Sequence, residues 1–250
     1  WATFIAEWAG VVLGLWLCRA AFAVPAWRDR ARVLDRARLV NMAAVNSDIM
    51  IRSVLLQAIF VSFLFFGASF GEVQLAANHI LLQFLSVTAY AMDGFAVAAE
   101  ALVGNALGAR SRAALRRSAL LTSFWGGVVG AVLAICFALF GTLVIAIMAK
   151  NIPVQDAAAI YLPYMVAAPI VGVVAWMMDG IFIGATRTKD MRNMMIVSTI
   201  VYFAVVIPLM QMFGNHGLWI GFLISFIVRG ATLAMKYPGL EAASEPVRAA

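Results

Sequence analysis

Charge, histidine and cysteine are all scarce in this chain, and each scarcity closes off a class of function. Charged residues make up 12% of the 250, about half the share usual in a soluble domain. Residues of apolar type make up 64%, with a mean hydropathy of +0.96. No soluble fold of this length could cover so much apolar surface, so the bilayer is the expected solvent. The two cysteines, Cys18 and Cys136, form no CxxC and no zinc spacing; they read as free, lipid-packed thiols. The two histidines, His79 and His216, fall near the ends of apolar runs and read as structural. HExxH, a P-loop and a dinucleotide fingerprint are all missing. An ATP-driven pump is therefore excluded unless another chain supplies the motor, and no cofactor is expected. Gly67-Ala-Ser69-Phe-Gly71 has GxSxG spacing. It closes an apolar helix instead of forming a strand–turn–helix elbow, and no Ser-His-acid set accompanies it, so an enzyme is not expected. No basic segment precedes the apolar stretch at Trp1, so it reads as the stump of a helix, not a signal peptide. On that reading the chain is a fragment of something longer.

What is present is a series of apolar runs, each near the ~20 residues that cross a bilayer. They cover 1–22, 49–71, 75–103, 118–147, 157–184, 194–213 and 218–235. The fold class is therefore all-α and integral to the membrane. The formal charge of +6 does not point to nucleic acid, because the basic residues lie between the runs. Arg28, Arg30, Arg32, Arg36 and Arg38 follow the first run, and Arg110, Arg112, Arg116 and Arg117 the third. Arg187, Lys189 and Arg192 follow the fifth, and Lys236 and Arg248 the last. The alternate connections carry only Lys150. This one-sided bias places the Arg-rich connections and the C-terminus in the cytoplasm. Residues 23–46 read as a cytoplasmic linker, with Ser47 as the N-cap of the next helix, Asp48 near its positive end and Arg52 one turn on.

There is also an internal repeat. Gly104-Asn-Ala-Leu-Gly108-Ala-Arg110 closes the third run, and Gly180-Ile-Phe-Ile-Gly184-Ala-Thr-Arg187 the fifth. The copies lie two spans apart and so face the same side. GxxxG lets helices approach closely, and parallel repeats recur in transporter folds.

The residues that could carry chemistry are intramembrane carboxylates, which usually face a cavity or a partner. Asp93 and Glu100 stand two turns apart on one helix, and Tyr90 and Ser86 extend the same stripe. Asp179 lies on the run that contains Pro163 and Pro169, where a kink or hinge is possible, and Tyr161, Ala168 and Gly172 share its face. Glu7, near the start of the first run, is the weakest of the four acids. Two readings stand open for these acids: a cation or proton site, or a structural partner of an arginine or of a neighbouring helix. The candidate ion-coupling and substrate-binding set is Asp179, Asp93, Glu100 and Tyr90.

Leu75-Ala-Ala-Asn-His-Ile80, Tyr90-Ala-Met-Asp-Gly-Phe95, Glu100-Ala-Leu-Val-Gly-Asn-Ala-Leu-Gly-Ala109 and Asp179-Gly-Ile-Phe-Ile-Gly-Ala-Thr-Arg187 together resemble the multidrug and toxic compound extrusion (MATE) family, closest to its DinF-like bacterial branch. The resemblance implies twelve helices in two six-helix lobes. It makes 1–22 the last helix of the N-terminal lobe, 23–46 the inter-lobe loop, 47–236 the C-terminal lobe and 237–250 a cytoplasmic tail. It implies a secondary active multidrug antiporter in the bacterial inner membrane, exchanging protons or sodium for amphipathic, often cationic compounds. The missing N-terminal lobe, the lipid bilayer and those compounds are its expected partners. Asp179 falls where many members have an aspartate implicated in cation coupling. The second carboxylate of sodium-linked members has no counterpart, since Leu55-Leu-Gln57 stands there, which favours protons. A lipid-linked sugar flippase of the same superfamily and a non-transporting membrane scaffold are the alternatives.

Overall fold

The computed structural model describes residues 1–22 and 34–242. The arginines at 28, 30, 32 and 248 lie outside them. The described residues are helical almost throughout and divide into two compact units, 1–46 and 47–250.

In the first unit, the apolar start of the chain forms α1 (Ala2–Leu17). Cys18 closes it, and a single turn, α2 (Arg19–Phe22), follows. The Arg19 guanidinium lies over the Trp16 ring at 4.7 Å. The sequence suggested one helix over 1–22; the break at Cys18 leaves an apolar helix shorter than a usual span. The N-cap reading of Ser47 needs correction. Helix α3 runs Arg36–Ala68, so it begins eleven residues before Ser47. Asp35, not Ser47, caps it: the Asp35 carboxylate accepts from the Ala37 backbone N–H at 3.0 Å and pairs with Arg38 at 3.3 Å. An aspartate immediately before two free N–H groups does what a serine inside an already helical run cannot.

Five further long helices follow: α4 (Glu72–Gly108), α5 (Arg112–Met148), α6 (Ile152–Gly184), α7 (Thr188–Phe213) and α8 (Asn215–Ala242). Together with α3 they are long and apolar enough to cross a membrane. The last extends through Pro238, so the segment read as a tail after 236 begins as helix. Helix α6 is unbroken across Pro163 and Pro169. Side chains such as Phe65, Leu139 and Ile147 point outward, at 75%, 67% and 75% exposed, as lipid-facing residues should.

Neighbouring side chains give the helix directions within the second unit. Tyr161 meets His216 and Trp176 meets Phe226, so α6 and α8 run parallel. Phe60 meets Phe222 and Phe63 meets Trp219, so α3 runs antiparallel to α8. Helices α4 and α6 run parallel at backbone contact, and the repeat makes that contact. A Cβ on Gly180 would fall 2.4 Å from the Ala96 carbonyl oxygen, and one on Gly184 2.3 Å from that of Glu100. Both copies of the repeat also end alike. The Arg110 N–H donates to the Leu107 carbonyl and the Ser111 N–H to Ala106, while Thr186 donates to Ile183 and Arg187 to Phe182. Each is a Schellman ending, with Arg110 (φ 51) and Thr186 (φ 54) in the left-handed position that glycine usually fills.

A buried polar knot ties α4 to the start of α8. Asn78 and Asn215 exchange amide hydrogen bonds at 2.8 and 3.0 Å, and the Trp219 indole N–H donates to the Asn78 oxygen at 3.0 Å. Removing Asn78 leaves Asn215 and Trp219 without partners in a site that water does not reach. Asn78→Ala should lower stability by about 1–3 kcal/mol, read as a drop in the thermal midpoint of the detergent-solubilised protein. A midpoint equal to wild type would mean that the knot contributes nothing.

Candidate functional site

The buried apolar side chains of the second unit form two clusters, and the charged residues sit where one gives way to the other. On α6, Trp176 and Met177 belong to the first cluster and Ile181 and Phe182 to the second; Asp179 lies between. On α4, Met92 and Ala99 bracket Asp93. On α8, Phe226 and Leu233 bracket Arg229. Three helices thus interrupt their apolar faces at one level. Burying charge there is costly unless it is paired; the structure sets arginines against the buried Asp179, while Asp93 is exposed.

Asp179, 6% exposed, takes a hydrogen bond from the Arg52 guanidinium through one carboxylate oxygen. The Arg229 Nε approaches the same oxygen at 3.9 Å, too long for a hydrogen bond. Arg229 is 4% exposed and lies over the Phe226 ring at 5.3 Å. Two cations from α3 and α8 therefore share one carboxylate of α6. One turn before Arg52, Asp48 is buried and faces a different helix. It takes a 2.5 Å bond from the Arg192 guanidinium and a 3.1 Å bond from the Thr188 hydroxyl. Asp48 and Arg52, adjacent turns of α3, are thus tied to α7 and α6 respectively. The sequence reading of Asp48 as a helix-dipole group, with Arg52 behind it, is replaced by these two long-range pairs.

Beside the Asp179 cluster opens a cleft of ≈ 290 Å³. Arg52, Asp179, Arg229 and Asp93 supply its charge, with Ser86 beside them, and Phe60, Trp176 and Phe226 supply aromatic wall. This mixture of apolar surface with a few converging polar groups is the usual make-up of a small-molecule site.

The four candidate residues fare differently. Asp179 and Asp93 line the same cleft. Among the described residues Asp93 makes no ion pair, whereas Asp179 is paired with arginine, one of the two readings left open for it. Tyr90, 77% exposed, and Glu100, also exposed, do not line the cleft. Of the polar stripe on α4, only Ser86 and Asp93 reach it. Tyr161, Ala168 and Gly172 do share the buried face of α6 with Asp179. Glu7 lies exposed on α1 in the other unit. His216 meets the Tyr164 hydroxyl at 3.0 Å, and Ser69 bonds only the Phe66 carbonyl at its helix end. Arg52 and Arg229 are the functional candidates that the sequence reading passed over. Arg229 carried a usable signal, being an ionisable residue inside an apolar run.

Comparison with known proteins bears on what this cleft serves. The MatE family model matches residues 49–209, which include Arg52, Asp93 and Asp179. The chain is 36% identical over 250 aligned residues to DNA damage-inducible protein F of Escherichia coli (strain K12), covering 93% of this chain and 51% of that protein. It is 29% identical over 166 residues to Protein DETOXIFICATION 42 of Arabidopsis thaliana, covering 64% of this chain and 31% of that protein. The chain thus spans about half the length of the first relative and under a third of the second.

Proposed function

The chain belongs to the MatE family, whose members are transporters and not enzymes, and from that premise we propose that it forms the C-terminal lobe of a secondary active exporter in the bacterial inner membrane, its Arg-rich turns and C-terminus cytoplasmic. The exporter exchanges protons for amphipathic compounds, cationic ones among them. The supporting observation is the cleft that Asp179 and Asp93 line together with aromatic side chains.

The chemistry follows from the Arg52–Asp179 pair. While Asp179 is ionised, the pair holds α3 to α6 through a charge-assisted hydrogen bond. A proton on Asp179 removes the attraction and leaves α3 free to shift. A carboxylate that is protonated in one access state and ionised in the other can couple a proton flow to lobe rocking. Asp93, without an ion pair among the described residues and facing the same cleft, is available for a cationic group or a second proton. Sodium fits this site poorly, because two guanidinium groups already crowd the Asp179 oxygen and repel a further cation.

Reconstituting the full-length transporter in vesicles and collapsing the two gradients separately tests the reading. Export of a lipophilic cation should stop when a protonophore dissipates the proton gradient and continue when the sodium gradient is removed. The opposite pattern would make the coupling ion sodium, and indifference to both would remove secondary transport altogether.

A further inference from the structure

We propose that Arg229 is a subsite for an oxyanion group, so that the cleft takes amphipathic compounds carrying a carboxylate, sulfonate or phosphate as well as cations. This rests on the exporter reading for its physiological meaning but not for its test.

The argument is one of unmet hydrogen bonding. Arg229 is 4% exposed, yet its Nε has no hydrogen-bond partner, and among the described residues its guanidinium donates no hydrogen bond at all. A guanidinium has five N–H donors and does not lose its proton in proteins. Its contacts are the Phe226 ring and an Asp179 oxygen at 3.9 Å. That carboxylate is already engaged by Arg52. Asp93, the remaining acid of the cleft, is not within ion-pair distance of either arginine.

A buried cation so poorly served is costly to keep. A structural role toward Asp179 would be filled better by a direct hydrogen bond, which Arg52 already makes. What the position offers instead is a planar fork of donors at the wall of a ≈ 290 Å³ cleft. That fork matches the two oxygens of a carboxylate or sulfonate. Phe60, Leu85, Trp176 and Phe226 beside it suit an apolar or aromatic body attached to the anion. Serine at position 86, on the same wall, adds a hydroxyl that now bonds only its own helix, to the Leu82 carbonyl.

The test is equilibrium binding to the full-length protein in phosphatidylcholine nanodiscs. The probes are anilinonaphthalene sulfonate, an anion on an aromatic body, and tetraphenylphosphonium as the cation of comparable bulk. Wild type should bind the sulfonate saturably. Arg229→Gln should weaken that binding at least about tenfold, the worth of a charge-assisted hydrogen bond, while tetraphenylphosphonium affinity should hold or rise, because a cation that repels it has been removed from the cleft. Arg229→Lys, which keeps the charge but not the fork, should fall between. Asp179→Asn should move the other way and tighten the sulfonate severalfold, because it removes the carboxylate that competes for Arg229; the gain should be lost in Asp179→Asn/Arg229→Gln, whereas dye taken up by a loosened fold would persist there. Absence of saturable sulfonate binding to wild type, or unchanged binding in Arg229→Gln, would overturn the proposal. Repeating the titration in phosphatidylglycerol nanodiscs separates the sources of the oxyanion. Wild type and Arg229→Gln are compared in the same discs, because the anionic surface repels the dye from both; loss of the difference between them identifies an anionic lipid headgroup as occupant, and its persistence a soluble amphipath. Failure of the exporter reading would look different: sulfonate binding would persist while neither probe is exported under any gradient.

Discussion

Asp179→Asn in the full-length transporter is expected to abolish gradient-driven export, by at least about tenfold per folded molecule, since an amide cannot carry the exchanged proton. The structure adds a complication. Asp179 shares one oxygen with Arg52 and Arg229, so neutralising it leaves the buried Arg229 and the half-buried Arg52 without a counter-charge. Breaking such a pair from one side costs about 3–5 kcal/mol in soluble proteins. Loss of export in the single mutant could therefore report loss of folded protein. A double-mutant cycle separates the two effects. Asp179→Asn/Arg52→Gln removes the cation along with the anion and should recover much of the thermal midpoint that Asp179→Asn alone loses. Export should stay lost in the double mutant. If export returned with stability, Asp179 would be a structural partner only. Asp93→Asn is the comparison, because Asp93 makes no ion pair among the described residues and its replacement should leave the midpoint near wild type. Wild-type export per folded molecule in both Asp93→Asn and the double mutant would move the coupling site out of this lobe.

How far the site could be read beforehand depended on whether the signal was local. Asp179 and Asp93 announce themselves as carboxylates inside apolar runs, and the bilayer makes that notable wherever the helices go. Arg229 announces itself by the same rule, within the apolar run 218–235. Its signal is diluted by the many arginines of the connections, whose placement topology explains. Arg52 could not be found locally. Its spacing from Asp48 suggests an ion pair within one helix, but each of the two finds a stronger partner on another helix, 127 and 144 positions away. The α4 stripe shows the other limit. Spacings of three and seven do put Tyr90, Asp93 and Glu100 near one face, but which part of that face meets a neighbour is decided by tertiary packing. In the second unit α4 presses its backbone on α6 at Ala96 and Glu100. The cleft opens earlier along the helix, at Leu85, Ser86, Ala89 and Asp93.

The repeat makes the sharpest separation between what spacing says and what packing requires. In sequence the two GxxxGA copies are equivalent, and each ends its helix in the same way. In the structure their glycines are not equivalent. A methyl group on Gly180 or Gly184 would lie 2.4 or 2.3 Å from a carbonyl oxygen of α4. Neither the oxygen nor the helix that carries it can move aside as a flexible side chain would. On Gly104 the nearest atom would be 3.4 Å away, and on Gly108 nothing lies within 4 Å. Gly180→Ala and Gly184→Ala should therefore force α4 and α6 apart. Each is expected to cost about 3 kcal/mol or more, at or beyond the upper end of ordinary overpacking, because the collision is with backbone. Gly104→Ala should be close to neutral. Gly108→Ala should be neutral or stabilising by up to about 1 kcal/mol, since alanine is the better helix former. The damage at Gly180 should also reach the cleft. Asp179 is its neighbour in sequence, and the α6 backbone that positions the carboxylate against Arg52 would shift with it. Thermal midpoints of the four variants, with binding of a cleft ligand measured on the folded fraction, give the comparison. Equal effects at Gly104 and Gly180 would mean that the contact between α4 and α6 is not the tight backbone crossing seen here. A loss confined to Gly180 and Gly184, with ligand affinity falling at Gly180, would assign to the second copy the task of holding the Asp179 cluster in register.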